Sequence, residues 1–124
     1  MATRSRIVIQ TQESEWKSIY CHWDGYPDYM LPILNEHYSD LEKCNELMNL
    51  GDISILDKNI GEKIDFNDNE LRKENEQCLA YGRDRNEANT QCLVRNLNEN
   101  FKLYSGEEYM YIRRLDGKWY FRNA

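Results

Sequence analysis

Two alternating runs open the chain. From Arg4 to Thr11, Ile7 and Ile9 fall on one side and Val8 on the other. From Trp16 to Trp23, Ile19, Cys21 and Trp23 share one side and Ser18, Tyr20 and His22 the other. A period of two in β-branched and aromatic residues predicts strands, and the polar QESE between them predicts an antiparallel hairpin. Neighbours on a strand point to opposite faces, so Cys21 and His22 do not make a nucleophile and base. After the turn formers Asp24, Gly25 and Pro27 the period changes. Met30, Leu31, Leu34 and Tyr38 recur at helical spacing behind Asp28 as a cap, with Pro32 placed near the first turn. Ser39 and Glu42 frame a capping box for a second helix, whose stripe is Leu41, Cys44, Leu47 and Met48 and whose stop is Gly51. A short extended piece, GDISIL, follows.

The second half is less regular. Residues 57–76 hold seven acidic and four basic groups but only four large apolar ones, which predicts a solvated excursion. Within it Asp65, Asn67 and Asn69 alternate as calcium ligands do, with Glu76 at the twelfth position; the sixth is Glu70 where the sharp turn needs glycine, so a surface loop is the better reading. Gln77 to Asp84 reads as a strand, and Leu93, Leu97, Phe101 and Tyr104 as a helix stopped by Gly106. EEYMYIRRL and KWYFRN flank Asp116-Gly117, the signature of a two-residue hairpin turn. That turn pairs Arg113 with Tyr120 and Tyr111 with Arg122. Met110, Ile112, Trp119 and Phe121 then form the core side, with Arg114 over Trp119, and Tyr109, Tyr111, Arg113, Tyr120 and Arg122 share the opposite face. Strands and helices do not alternate as a parallel sheet requires. The expected fold is therefore α+β: one domain with a mostly antiparallel sheet of four or five strands and helices packed chiefly on one face.

Charge and composition narrow the function. The 124 residues carry a net charge of −6, with +1 on residues 1–20, +2 on residues 101–124 and −9 between them. An acidic chain disfavours non-specific DNA binding. No apolar run is long enough for a signal peptide or a membrane span, so the expected place is the cytoplasm, with no membrane partner. Cys21, Cys44, Cys78 and Cys92 are widely spaced, which fits buried free thiols better than a zinc site completed by His22 or His37. No metal or cofactor is expected.

The densest chemistry lies in SIYCHWDGYPDY, residues 18–29, at a strand-to-helix corner. Its His22, Asp24 and Tyr26, together with His37, Arg83, Asp84 and Arg85, supply imidazole, carboxylate and guanidinium groups suited to a phosphate-bearing ligand. The Tyr–Arg face of the last hairpin carries the residue types enriched at binding hot spots, and suits a partner protein or a second copy of the chain.

SRIVI, SIYCHWDGYP, ILNEHYSD, LGDIS, AYGRDR and EEYMYIRRLDGKWYF together resemble a widespread family of small tailed-bacteriophage proteins. The resemblance spans the chain except for residues 57–76. It implies a phage-encoded, non-virion protein acting in the cytoplasm of the infected bacterium, and it brings no catalytic residues with it. Two functions are then in view. One is an accessory protein that binds and inhibits or modulates a host protein, such as a CRISPR effector or another antiviral defence factor, its acidic middle mimicking the charge of nucleic acid. The other is a nucleotide-binding or nucleotide-sequestering protein, or a small hydrolase.

Overall fold

The structure is a computed structural model and describes residues 2–96 and 107–123. Its first two strands are the predicted hairpin. β1 (Ser5–Gln12) and β2 (Glu15–Cys21) pair antiparallel, from Ser5 opposite Cys21 to Gln10 opposite Trp16. The chain continues through α1 (Pro27–His37), α2 (Leu41–Leu50), β3 (Ile53–Ile55), α3 (Asn69–Asn75), β4 (Leu79–Ala80), α4 (Tyr81–Arg85), β5 (Leu93–Asn96), β6 (Tyr109–Arg113) and β7 (Trp119–Asn123). Among the described residues no helix is long and apolar enough to cross a membrane.

The fold is α+β, but among the described residues its sheet has seven strands and is mixed rather than mostly antiparallel. The order is β4-β3-β2-β1-β6-β7, with β5 also on β2. β1 runs parallel to β6 and β2 parallel to β3. Both parallel pairings join strands far apart in sequence, with no turn between them to betray the partnership. The outer edge of β2 is divided. β5 pairs antiparallel with Glu15–Ser18, and β3 meets only Cys21.

Alternation along β1, β2 and β6 separates two cores. Ile7, Ile9, Ile19, Cys21 and Tyr111 pack with Met30 and Leu34 of α1 and with Cys44, Leu47 and Met48 of α2. Val8, Trp16, Met110 and Ile112 form a second cluster on the other side. Each fully buried Ile, Leu or Met contributes about 1.5–3 kcal/mol, so the first cluster is the main drive to fold.

Several local expectations are corrected. Leu93–Asn96 is a strand, because β2 offers it an open edge that outweighs a helical stripe; Leu97, Phe101, Tyr104 and Gly106 lie outside the described residues. The strand expected over 77–84 shortens to Leu79–Ala80 and turns into α4. Pro27, not Asp28, opens α1, and Pro32 lies inside it. The cap of α2 is Asp40, whose carboxylate accepts from the Glu42 amide at 3.2 Å, rather than Ser39. The acidic excursion contains α3, whose buried Arg72 pairs with the half-buried Asp57 at the start of the excursion at 3.0 Å.

The last hairpin differs by one residue. Arg113 faces Trp119, Ile112 faces Tyr120 and Tyr111 faces Phe121. The loop has three residues, Leu115-Asp116-Gly117, closed by Arg114 N–H donating to the Lys118 carbonyl at 3.1 Å, with Gly117 at φ 80° in the left-handed position such loops need. A slip of one residue exchanges the faces of one strand relative to the other. Tyr109, Tyr111 and Arg113 therefore share a side with Trp119 and Phe121, while Tyr120 and Arg122 lie with Met110 and Ile112. Arg114 lies over Tyr120, 5.4 Å from its ring centre, not over Trp119.

Candidate functional site

The predicted Tyr–Arg face is split by this register. Tyr111 is fully buried and its hydroxyl donates to the Gly25 carbonyl. Arg113 is buried and donates to the Ser39 carbonyl at 2.7 Å, beside the Trp119 indole N–H on the Tyr38 carbonyl at 2.9 Å. These two donors clasp the α1–α2 junction, a structural task. Tyr109 is half-buried against the first core. Only Tyr120 of the five is well exposed, held by a 2.7 Å bond to Asp116.

The polar groups gather instead at the C-terminal end of β2. On the face that carries Val8 and Trp16, the register brings Arg6 opposite Tyr20. Arg6 donates to the buried Glu107 carboxylate at 3.1 and 3.3 Å and to Ser18 Oγ at 3.0 Å. Burial raises the Glu107 pKa, and Arg6 opposes the rise. Farther along, where β5 has left the edge of β2, the Tyr20 amide has no strand partner and donates to Asp52 Oδ1 at 3.0 Å. A cleft of about 310 Å³ opens there, with Tyr20, Asp52, Tyr81, Arg85 and Glu87 in its walls. The Tyr20 hydroxyl meets His22 Nδ1 at 2.7 Å. Burial, helped by the Arg4 charge, lowers the His22 pKa.

The corner itself differs from the expectation that the strand runs on to Trp23 with its side chain on the side of Ile19 and Cys21. The strand ends at Cys21, Asp24 takes a left-handed φ of 56°, and Gly25 N–H donates to the Thr3 carbonyl at 2.9 Å. A Cβ at Gly25 would stand 2.6 Å from that carbonyl oxygen, so only glycine permits the approach. The turn swings Trp23 outward, 43% exposed, with the His22 ring edge-on at 4.9 Å. Tyr26, the residue before α1, is exposed to a similar degree. Trp23 and Asp24 face Phe66 and Asn67 of the acidic excursion across a second cleft of about 380 Å³.

The AYGRDR segment divides between structure and surface. Asp84 is buried and accepts from Ala80 N–H at 2.8 Å, Ile64 N–H at 3.1 Å and the Arg83 guanidinium at 3.0 Å. Arg83 donates in turn to the carbonyls of Ile60, Gly61 and Cys78. This pair pins the excursion to the sheet. Arg85 is exposed, lying 4.7 Å over the Phe66 ring and 4.8 Å over the Tyr81 ring, which stack on each other at 5.5 Å. His37 sits in the last turn of α1, 3.7 Å from Glu36, on a different element from the His22 corner.

The structure thus brings His22, Asp24, Tyr26 and Arg85 toward one end of β2, and assigns Arg83 and Asp84 to holding a loop. Sequence reasoning missed Asp52, just before β3, Phe66, in the excursion ahead of α3, Tyr81, at the start of α4, and Glu87, in the loop after it. Tyr20 carried a signal: it shares a strand face with His22. Cys21, Cys44 and Cys78 are buried and Cys92 half-buried, and burial pushes the Cys21 thiol up to about 12. No group of three metal-ligating side chains occurs among the described residues. Comparisons with protein-family models, with curated proteins and with solved structures found no match to this chain.

Proposed function

We propose that this is a phage-encoded accessory protein that acts in the cytoplasm of the infected bacterium by binding, and so inhibiting or modulating, a host protein through the Trp23 corner. The observation that carries the reading is the outward Trp23. A tryptophan more than two-fifths exposed at the mouth of a cleft is the residue type that most often anchors a protein interface, and here it is fixed by backbone bonds on both sides: Trp23 N–H to Ser54 O at 2.9 Å and Gly25 N–H to Thr3 O. Charge chooses the kind of partner. Asp65, Asp68 and Glu70 are exposed on the segment facing the corner, within a stretch of the chain carrying −9. That surface repels phosphate and suits a basic protein face, such as the nucleic-acid channel of a CRISPR effector or another defence protein.

The test is capture from host lysate on immobilised wild type, Trp23→Ala and Tyr120→Ala, each first shown to be folded by its thermal transition. A host protein held by wild type and Tyr120→Ala, lost from Trp23→Ala and released by raised salt is the expected result. The same protein held equally by Trp23→Ala overturns the corner as anchor. A nucleotide as the sole copurifying species overturns the host-protein reading in favour of nucleotide sequestration.

A further inference from the structure

The cleft on the other side of the Phe66–Tyr81 pair has its own chemistry, centred on Asp52. The residue is held from three directions, twice through its backbone and once through its carboxylate. Its backbone N–H donates to the Thr90 carbonyl at 2.7 Å, its carbonyl accepts from Tyr81 N–H at 3.2 Å, and its Oδ1 accepts from Tyr20 N–H at 3.0 Å. Oδ2 makes no hydrogen bond or ion pair within the described residues. Asp52 is half-buried, and burial raises its pKa against the pull of Arg6 and the Tyr20 amide. The neighbouring charges are already matched: Arg6 with Glu107 at 3.1 Å, and Arg85 with Glu87 at 2.9 Å. Among the described residues Asp52 is left as the cleft's carboxylate without an ion-pair partner, lining it together with the half-buried side chains of Tyr20 and Tyr81.

We infer that this cleft binds an alkylguanidinium cation, with Asp52 as counter-ion and the two tyrosines as walls. A guanidinium is planar, weakly hydrated and suited to aromatic faces, and it forms charge-assisted hydrogen bonds with a carboxylate. Arg85 shows the same preference within the chain, lying over the Phe66 and Tyr81 rings. A cleft of about 310 Å³ takes a guanidinium and its alkyl stem. The cation comes either as a free small molecule or as an arginine side chain of a protein, and the two sources share this chemistry. The inference stands on the cleft alone and does not need the Trp23 corner to bind anything.

The test uses the full chain and two probes, agmatine and arginine blocked at both backbone ends, titrated while amide and side-chain NMR signals are followed. Saturable shifts centred on Tyr20, Asp52, Tyr81, Asn89 and Thr90 are expected, with blocked lysine binding more weakly. Binding of both guanidinium probes assigns the cleft to a side chain as well as to a free cation; binding of agmatine alone assigns it to a free cation. Asp52→Asn keeps an oxygen for the Tyr20 amide and removes the charge, and should weaken either probe about tenfold while leaving the rest of the spectrum in place. The inference is overturned if neither probe shifts these signals, if Asp52→Asn binds them as tightly as wild type, or if inorganic phosphate shifts the cleft and the guanidinium probes do not.

Discussion

Whether Tyr111 and Tyr120 lie on one face or two is decided by a single residue of register, and two truncations measure it. With a two-residue Asp116-Gly117 turn both rings share a surface and both alanine variants respond alike. In the structure Tyr111 is fully buried, packed in the α1 and α2 core with its hydroxyl on the Gly25 carbonyl, while Tyr120 is 43% exposed, with its hydroxyl on Asp116 and Arg114 over its ring. Removing a buried aromatic ring costs about 3–5 kcal/mol. With a urea slope of about 2 kcal/mol per molar, Tyr111→Ala lowers the unfolding midpoint by about 2 M. Tyr111→Phe keeps the ring, removes one hydrogen bond and costs about 1 kcal/mol, which keeps the comparison measurable if the alanine variant does not fold. Tyr120→Ala should leave the midpoint unchanged. Equal losses in the two alanine variants, or a larger loss at Tyr120, would refute the three-residue loop and the placement of faces that follows from it.

Two further outcomes test the site. Asp84→Ala removes the acceptor for two amides and a guanidinium and should cost about 3 kcal/mol or more, with hydrogen exchange rising first over residues 60–66; unchanged exchange there would show that the Arg83–Asp84 pair does not pin the excursion. The His22 pKa lies below its ordinary 6.5 because the folded state favours the neutral ring. Its contribution to stability is therefore present above 6.5 and lost as pH falls through the lower folded value. His22→Gln should flatten that part of the acid limb in denaturant titrations, and an NMR titration placing the His22 pKa above 6.5 would reverse the argument.

What the sequence made legible was local. The first hairpin, the Cys44, Leu47 and Met48 stripe of α2 and the Gly51 stop rest on neighbours a few residues apart, where period and capping chemistry act directly; Leu41, expected on that stripe, is exposed. The mixed sheet rests on β1 meeting β6 and β2 meeting β3, and such pairings leave no periodic trace in either segment. Leu93–Asn96 shows the competition plainly: its stripe suits a helix, and the open edge of β2 decides for a strand. Trp23 fails for a different reason. Alternation foretells a side only while the strand continues, and the left-handed Asp24 with the close Gly25 approach ends it two residues early. The Asp52 cleft was hidden because its walls arrive from three separated segments; of those walls the sequence pointed to Arg85 directly and to Tyr20 only through its shared face with His22.

The parallel pairing of Ser5–Ile9 with Tyr109–Arg113 also has a bearing on how the chain is made. A ribosome releases β1 and β2 well before β6, the strand that closes the other side of β1. Throughout that interval Ile7, Val8 and Ile9 sit on an open strand edge, able to pair with any extended segment nearby, including another nascent copy. The arrival of the β6–β7 hairpin both seals this edge and sets Arg113 and Trp119 on the α1–α2 junction, so a single late step closes the sheet and removes its most aggregation-prone edge.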